Sequence, residues 1–366
     1  MPPRILFRSL VARAFRNLTE LVLEPSPRLN VVSGDNGQGK TSLLEALYVV
    51  ATTRSFRADK LLELVQEGAE LASVRATVSE GAITREQRVT FGARARTWKL
   101  DDKRPPTLAA YATRTPVIVF HPGDLALASG PASVRRLLLD RVALFADPAS
   151  GDDRARFTRA TRERQRVLEE RGVRAPELEV YERLMAEHGA RLARARARAA
   201  ASVGAALAPA FASMASPALH LTVGYEPGGA PDAADFEREL ASRRAVDLRR
   251  GSASYGPQRD ELALCVDGRS ARRHASQGQQ RILALALKVA ELACVRAARG
   301  AEPVLLLDDV SSELDPARTG AVYDFLRATE GQVFVTTTRP ELFVTPELAG
   351  EARADFTLAA GRLSRA

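Results

Sequence analysis

The 366-residue chain carries 53 Lys and Arg against 45 Asp and Glu, a formal charge of +8, and 45% of its residues are hydrophobic. That length suits roughly two domains with a substantial core, and the mildly basic balance suits a partner carrying phosphates without requiring one. Two cysteines, Cys265 and Cys294, exclude a disulfide framework or zinc site, while the charged N-terminus and the lack of an apolar run of ~20 residues exclude a signal peptide and a bilayer span, so a cytoplasmic setting is expected.

From Ile5 to Ser33 apolar and polar positions alternate in short bursts, and RLNVVSG reads as a buried strand running straight into glycine. KTSLLEALYVVA follows, with Leu43, Leu44, Leu47, Val50 and Ala51 at helical spacing. The period falls to two between Leu71 and Leu100, with Gly81 and Gly92 as turn candidates, which predicts a small antiparallel sheet. TPVIVF is a further buried strand. From about Ser133 to Ala212 the chain is rich in Ala, Arg, Glu and Leu, and Gly172, Val173 and Pro176 mark a turn between helices, so a helical insertion with antiparallel arms is expected. Beyond Pro217, ELALCVDGRSARR reads as a hairpin turning at Asp267 and Gly268, and VLLLDDV and QVFVTTT as strands of a parallel sheet. Residues 1–125 plus 251–366 are therefore expected to form one lobe, and residues 126–250 a helical second lobe.

GDNGQGKT, comprising Gly34, Asp35, Asn36, Gly37, Gln38, Gly39, Lys40 and Thr41, has the P-loop spacing between a strand and a helix. The glycines let successive N–H groups turn towards phosphate oxygens, and the helix N-terminus adds partial positive charge. Lys40 is expected to reach the β- and γ-phosphates of ATP, and Thr41 to ligate Mg²⁺. VLLLDDV supplies a second metal-side group: Asp308 at the strand end is the candidate Mg²⁺ ligand, and Asp309 the candidate general base. Asp309 is one methylene shorter than a Glu, so its carboxylate must reach water through a tighter geometry, and slow hydrolysis is expected.

SQGQQ, at residues 276–280, opens a long apolar helix. Ser276 and Gln279 have capping-box spacing, which leaves Gln277, Gln280 and Arg281 without a structural reason. A helix start with a hydroxyl, a glycine and amides also receives phosphate well. Because the P-loop already encloses one side of its own nucleotide, the second cradle suits the nucleotide of another subunit.

At these residues the sequence resembles the ABC-type ATPases, whose S-x-G-x-Q signature matches Ser276, Gly278 and Gln280; SSELD, with Asp315, resembles their interface loop. The long separation of Lys40 from Asp308, and TTTRP where transporters carry a histidine, disfavour a transporter. FRNLTEL, GDNGQGKTSLLEALYVVATTRSFR, VIVFHPGDLALASGPASVRRLLLD, GPQRDELAL, SQGQQRILALALKVAEL and LLLDDVSSELDPAR are similar to blocks of the RecF family, in its order. Two residues depart from that pattern: Gly123 stands for the usual Glu, and Gln258 for the usual His. The helical stretch from Asp147 to Ala230 matches loosely.

The resemblance implies an α/β ABC-type head, with a P-loop, a mixed sheet, an antiparallel subdomain and an inserted helical lobe. It implies an ATP-dependent homodimer that clamps duplex DNA near gaps and single-strand/double-strand junctions. A weak ATPase would act as a timer, and RecR and RecO would be partners in loading RecA during recombinational repair, replication restart and the SOS response. Arg191, Arg194 and Arg198, at i, i+3 and i+7, together with Arg135 and Arg136, are candidate phosphate contacts. The alternative is a nucleotide-dependent scaffold or switch without direct DNA contact.

Overall fold

The alternating residues after Arg4 form β1 (Ile5–Phe15), which turns at Arg16 and Asn17 into β2 (Leu18–Leu23). In this computed structural model, which describes residues 3–94, 96–215, 219–309, 329–343 and 352–365, β3 (Leu29–Ser33) then leads into α1 (Lys40–Thr52). β4 (Leu71–Glu80), β5 (Ile83–Gly92) and β6 (Arg96–Leu100) complete an antiparallel sheet of order β2-β1-β4-β5-β6. Gly81, at φ 57°, makes the β4–β5 turn as expected. Gly92 is instead the last residue of β5, paired with Leu71, and glycine is needed there since a Cβ would meet the Glu70 carbonyl oxygen at 2.3 Å. The period-two apolar positions of β4, Ala72, Val74, Ala76 and Val78, share one core with Leu43, Leu47 and Val50 of α1. Short α2 (Leu108–Ala112) precedes β7 (Val117–Phe120).

A second compact unit, residues 124–298, is inserted here; the first comprises residues 1–123 and 299–366. The inserted unit holds α3 (Ala126–Ser129), α4 (Ala132–Ala146), α5 (Ala149–Arg171) and α6 (Glu177–Met214). Gly172, at φ 79°, ends α5 and Pro176 precedes α6, which is the expected turn. The α4–α5 break at Asp147 and Pro148 has the physical cause that a residue before proline avoids helical backbone. β8 (Leu221–Glu226), α7 (Ala233–Ser242), α8 (Arg244–Arg250), β9 (Glu261–Val266), β10 (Arg269–Ser270), α9 (Ala271–His274) and α10 (Gln277–Arg299) follow. Asp267 and Gly268, both at positive φ, turn β9 into β10. Residues 251–298, placed in the first lobe by sequence, lie in the inserted unit: β9 pairs with β8, and α10 buries Leu283, Leu287 and Ala290 in a core with Leu138 of α4 and Val203 of α6.

The chain returns with β11 (Val304–Asp308), β12 (Val333–Thr337), β13 (Arg353–Ala359) and β14 (Arg362–Arg365). Among the described residues these join the early strands in the order β14-β13-β3-β12-β11-β7, parallel except for β14. β3, β7, β11 and β12 are buried almost throughout, as unbroken apolar runs of a parallel sheet should be. The SSELD segment, with Asp315, lies outside the described residues. No helix among them is long and apolar enough to cross a membrane, and both cysteines are free thiols.

Candidate nucleotide site

β3 delivers the loop at the carboxyl edge of the parallel sheet, and Gly39 is the N-cap of α1. Gly34 (φ 150°), Gly37 (φ 81°) and Gly39 (φ 109°) supply the left-handed conformations that the curl needs. Gly34 passes so close to β13 that a Cβ would meet the Leu358 carbonyl oxygen at 2.3 Å, whereas a Cβ on Gly37 would meet nothing within 4 Å. The first turn of α1 has no side-chain cap and no acidic residue. Its N–H groups and the positive end of its dipole thus suit an anion.

Lys40 is buried, and its ammonium donates to the carbonyls of Gly34 at 2.6 Å and Asp35 at 2.8 Å. Two of its three donors hold it inside the loop, leaving a third for a phosphate oxygen. Asp35 and Asn36 are exposed at the tip. Gln38 reaches away from the loop, where its Oε1 accepts from the Ala360 N–H in the β13–β14 turn at 2.5 Å.

Thr41 and Asp308 come together. The Thr41 hydroxyl donates to Asp308 Oδ1 at 2.8 Å. The same oxygen accepts from the Thr336 hydroxyl at 2.9 Å, and the Thr336 oxygen in turn accepts the Asp309 N–H at 3.1 Å. β12 lies between β3 and β11 in the sheet, so its end presents Thr336 between the two acids. Asp309 sits at φ 48°, turned off the strand axis. One carboxylate with a hydroxyl is an oxygen set that suits Mg²⁺ sharing its shell with phosphates and water. Among the described residues no cluster of three metal-ligating side chains occurs, so an all-protein cage is not what this site offers.

Asn17 and Thr336 are neighbours of the candidate site that motif spacing did not reveal. Asn17 Nδ2 donates to the Gly37 carbonyl at 3.2 Å, and its Oδ1 accepts from the Ser42 hydroxyl at 2.8 Å, so the β1–β2 turn braces both sides of the P-loop. Arg16, beside it, makes a two-point ion pair with buried Glu45 on α1, at 3.0 and 3.1 Å. FRNLTEL held the only signal for Asn17: a polar amide at a turn between strands. For Thr336 the signal was a threonine run ending an apolar strand.

In the inserted unit the signature residues open α10. Gln279 N–H donates to Ser276 Oγ at 3.2 Å, and Ser276 N–H donates to Gln279 Oε1 at 2.8 Å, which is the expected reciprocal box. The box uses Ser276 Oγ as an acceptor, so its O–H proton stays available to a ligand. Ser276 and Gln277 are exposed, and Gly278 and Gln280 half-buried. Gln280 Nε2 donates to the Ala275 carbonyl at 3.1 Å. Further along α10, Arg141 and Lys288 approach buried Glu291 at 2.5 Å each. Burial alone would raise that carboxyl, but the two cations overcome it and bring it down to about 2.

The candidate DNA arginines fare differently. Arg135 is buried, with a two-point ion pair to Glu261 at 2.7 Å and further bonds to the Leu127 and Gly130 carbonyls, so it is a structural residue and not an exposed phosphate contact. Arg191, Arg194 and Arg198 are exposed at the expected spacing, yet each already has a partner: Glu187 at 2.7 Å, the Pro231 carbonyl at 2.7 Å and Asp147 at 3.2 Å. Of the two positions that depart from the family pattern, Gly123 donates its N–H to His121 Nδ1 at 3.1 Å, and Gln258 donates to the Ala253 and Tyr255 carbonyls.

The RecF/RecN/SMC N terminal domain family matches residues 6–349. A protein named DNA replication and repair protein RecF, from an Anaeromyxobacter species, is 40% identical, over 97% of this chain and 98% of its own. The protein of that name from Geobacter sulfurreducens is 36% identical, over 90% and 92%. Among solved structures, that of the recombination mediator protein RecF-ATP in the RecFOR pathway aligns with a TM-score of 0.88 at 26% identity, covering 100% of this chain and 99% of that one. An Smc head domain from Pyrococcus furiosus shares the fold, with a TM-score of 0.55 at 16% identity. A P-loop and an acid-tipped strand drawn together from opposite ends of the sequence, with likeness running along almost all of it, have one common description: the chain belongs to the RecF family.

Proposed function

We propose that this protein is an ATP-dependent DNA-binding protein of recombinational repair that closes as a homodimer on duplex DNA at gaps and junctions. The observation that carries this reading is the Thr41–Asp308 contact, which joins the P-loop helix to the acid-tipped strand from opposite ends of the chain in a member of the RecF family. First-turn N–H groups of α1, Gly37 and Lys40 would hold the phosphates, and Thr41 and Asp308 would hold Mg²⁺, which when bound offsets phosphate charge. Asp309 would orient and deprotonate the attacking water. Ser276, Gly278 and Gln280 would meet the γ-phosphate held by the partner subunit, so that nucleotide favours the dimer by mass action. The first lobe would then serve as the nucleotide unit and the inserted one as the signature unit. RecR, RecO and RecA are the proposed pathway partners.

Sizing with ATP or ADP, combined with salt-dependent binding to gapped duplex, tests the reading. Dimerisation and DNA affinity should both rise with ATP; a monomer with unchanged DNA affinity would refute the clamp. Ser276→Arg should keep ATP binding and lose the dimer. Asp309→Asn should bind ATP yet cleave it more slowly in a single turnover, and equal rates would remove the base assignment. The second reading, a nucleotide-dependent scaffold or switch without DNA contact, is favoured by the internal partners of Arg135, Arg191, Arg194 and Arg198. It predicts ATP-driven dimers that do not bind gapped duplex in either nucleotide.

A further inference from the structure

The antiparallel sheet of the first unit ends at β6, which among the described residues pairs only with β5. This edge is basic: residues 94–104 hold Arg94, Arg96, Lys99, Lys103 and Arg104 against Asp101 and Asp102. Both acids are engaged. Asp101 accepts the Glu86 N–H at 2.7 Å, and Asp102 lies 3.6 Å from Arg88 and 3.8 Å from Lys99. Arg94, Arg96, Lys103 and Arg104 are exposed, and none of the four has an ion-pair partner among the described residues.

Trp98, the single tryptophan of the chain, sits in the middle of β6, opposite Val89 and half-buried against the core. The Arg104 guanidinium stands 5.3 Å from its ring centroid, and that of Arg96 6.0 Å. A guanidinium held by an aromatic face keeps its in-plane N–H groups for another partner. Arg96 directs Nη2 at the Thr53 carbonyl, at 3.0 Å, so donors remain on both side chains. Charge on an edge strand also keeps it from pairing with another chain, but that task needs no tryptophan between arginines and no cations beyond the ends of the strand.

The spacing selects the kind of anion. β6 is five residues long, which at ~3.3 Å per residue gives about 13 Å from end to end. Arg94 and Arg96 stand at its start; Lys103 and Arg104 follow its end, with Arg104 turned back over Trp98. One free phosphate would serve one end only, whereas each strand of a duplex presents a charge every ~3.4 Å and so offers several along that length.

We propose that the β6 edge is a contact surface for the backbone of duplex DNA, with Arg94, Arg96, Lys103 and Arg104 on successive phosphates and Trp98 holding two of the guanidinium groups in place. This rests on the DNA-binding reading above and says which surface of the first unit carries it.

The test is titration of the full chain, loaded with a non-hydrolysable ATP analogue, with fluorescently labelled gapped duplex, read by the anisotropy of the label and by Trp98 emission. The emission should change along the same isotherm as the anisotropy. Arg94→Gln and Arg104→Gln should keep their affinity for the analogue, and each should lower the slope of log K against log salt by about 0.9, one phosphate contact. Wild-type slopes in both variants, with Trp98 silent while the duplex still binds, overturn this surface and leave the DNA-binding reading standing. A wild-type chain that binds no duplex in either nucleotide refutes that reading, and this surface with it.

Discussion

Thr336 does two things with one oxygen: it donates to Asp308 and accepts from the Asp309 N–H, so it fixes the adjacent acids in unlike environments. Thr336→Val keeps the shape but strips both bonds. It should cost ~1–3 kcal/mol in urea unfolding and lower ATP cleavage, with Thr336→Ser restoring most of each. Asn17→Ala should leave the sheet folded and raise the Kd for nucleotide, since it removes the amide that holds the Gly37 carbonyl, a bond worth roughly 1 kcal/mol; an unchanged Kd would show that the turn is not a brace. Local spacing made Lys40, Thr41 and Asp308 legible because each belongs to a contiguous pattern. Asn17 and Thr336 act on those patterns from elsewhere in the chain, and no short window of sequence contains both halves of either contact.

The same distinction holds for whole helices. The apolar period of α10 and the capping box at its start were legible, since each is written within a few residues. The partners of its charged positions were not: Glu291 finds Arg141 on α4, and Arg198 of α6 finds Asp147 beyond the end of α4. Arginine spacing therefore gave the exposed face of α6 correctly while leaving its internal ion pairs unseen. Glu291 also yields a pH prediction. Its folded pKa of about 2 lies below the ordinary 4.5, so its contribution to stability is present above pH 4.5 and is lost as the pH falls towards 2. Glu291→Gln should flatten that part of the stability curve in acid unfolding, and an unchanged slope would deny the ion pair its role.

At the scale of the molecule, the proposed nucleotide site draws on residues 41, 308 and 336 at once, which would tie ligand binding to closure of the parallel sheet. Saturating ATP, at about 100 times its Kd, should add ~2.7 kcal/mol to the stability of the unit that binds it, and Lys40→Ala should abolish the resulting rise in melting temperature. The parallel arrangement was legible from apolar runs at both ends of the chain, whereas the allotment of residues 251–298 was not, because it depends on β9 choosing β8 across the sequence. The strand order has a consequence for how the protein is made. β3 lies between β12 and β13, and Asn30 meets Val333 across 303 residues of chain. At ~5–20 residues per second, the P-loop strand waits roughly 15–60 s on the ribosome for either parallel neighbour. Through that interval both its edges are open to mispairing, so newly made chains should gain the ability to hold nucleotide only after release of the last strands.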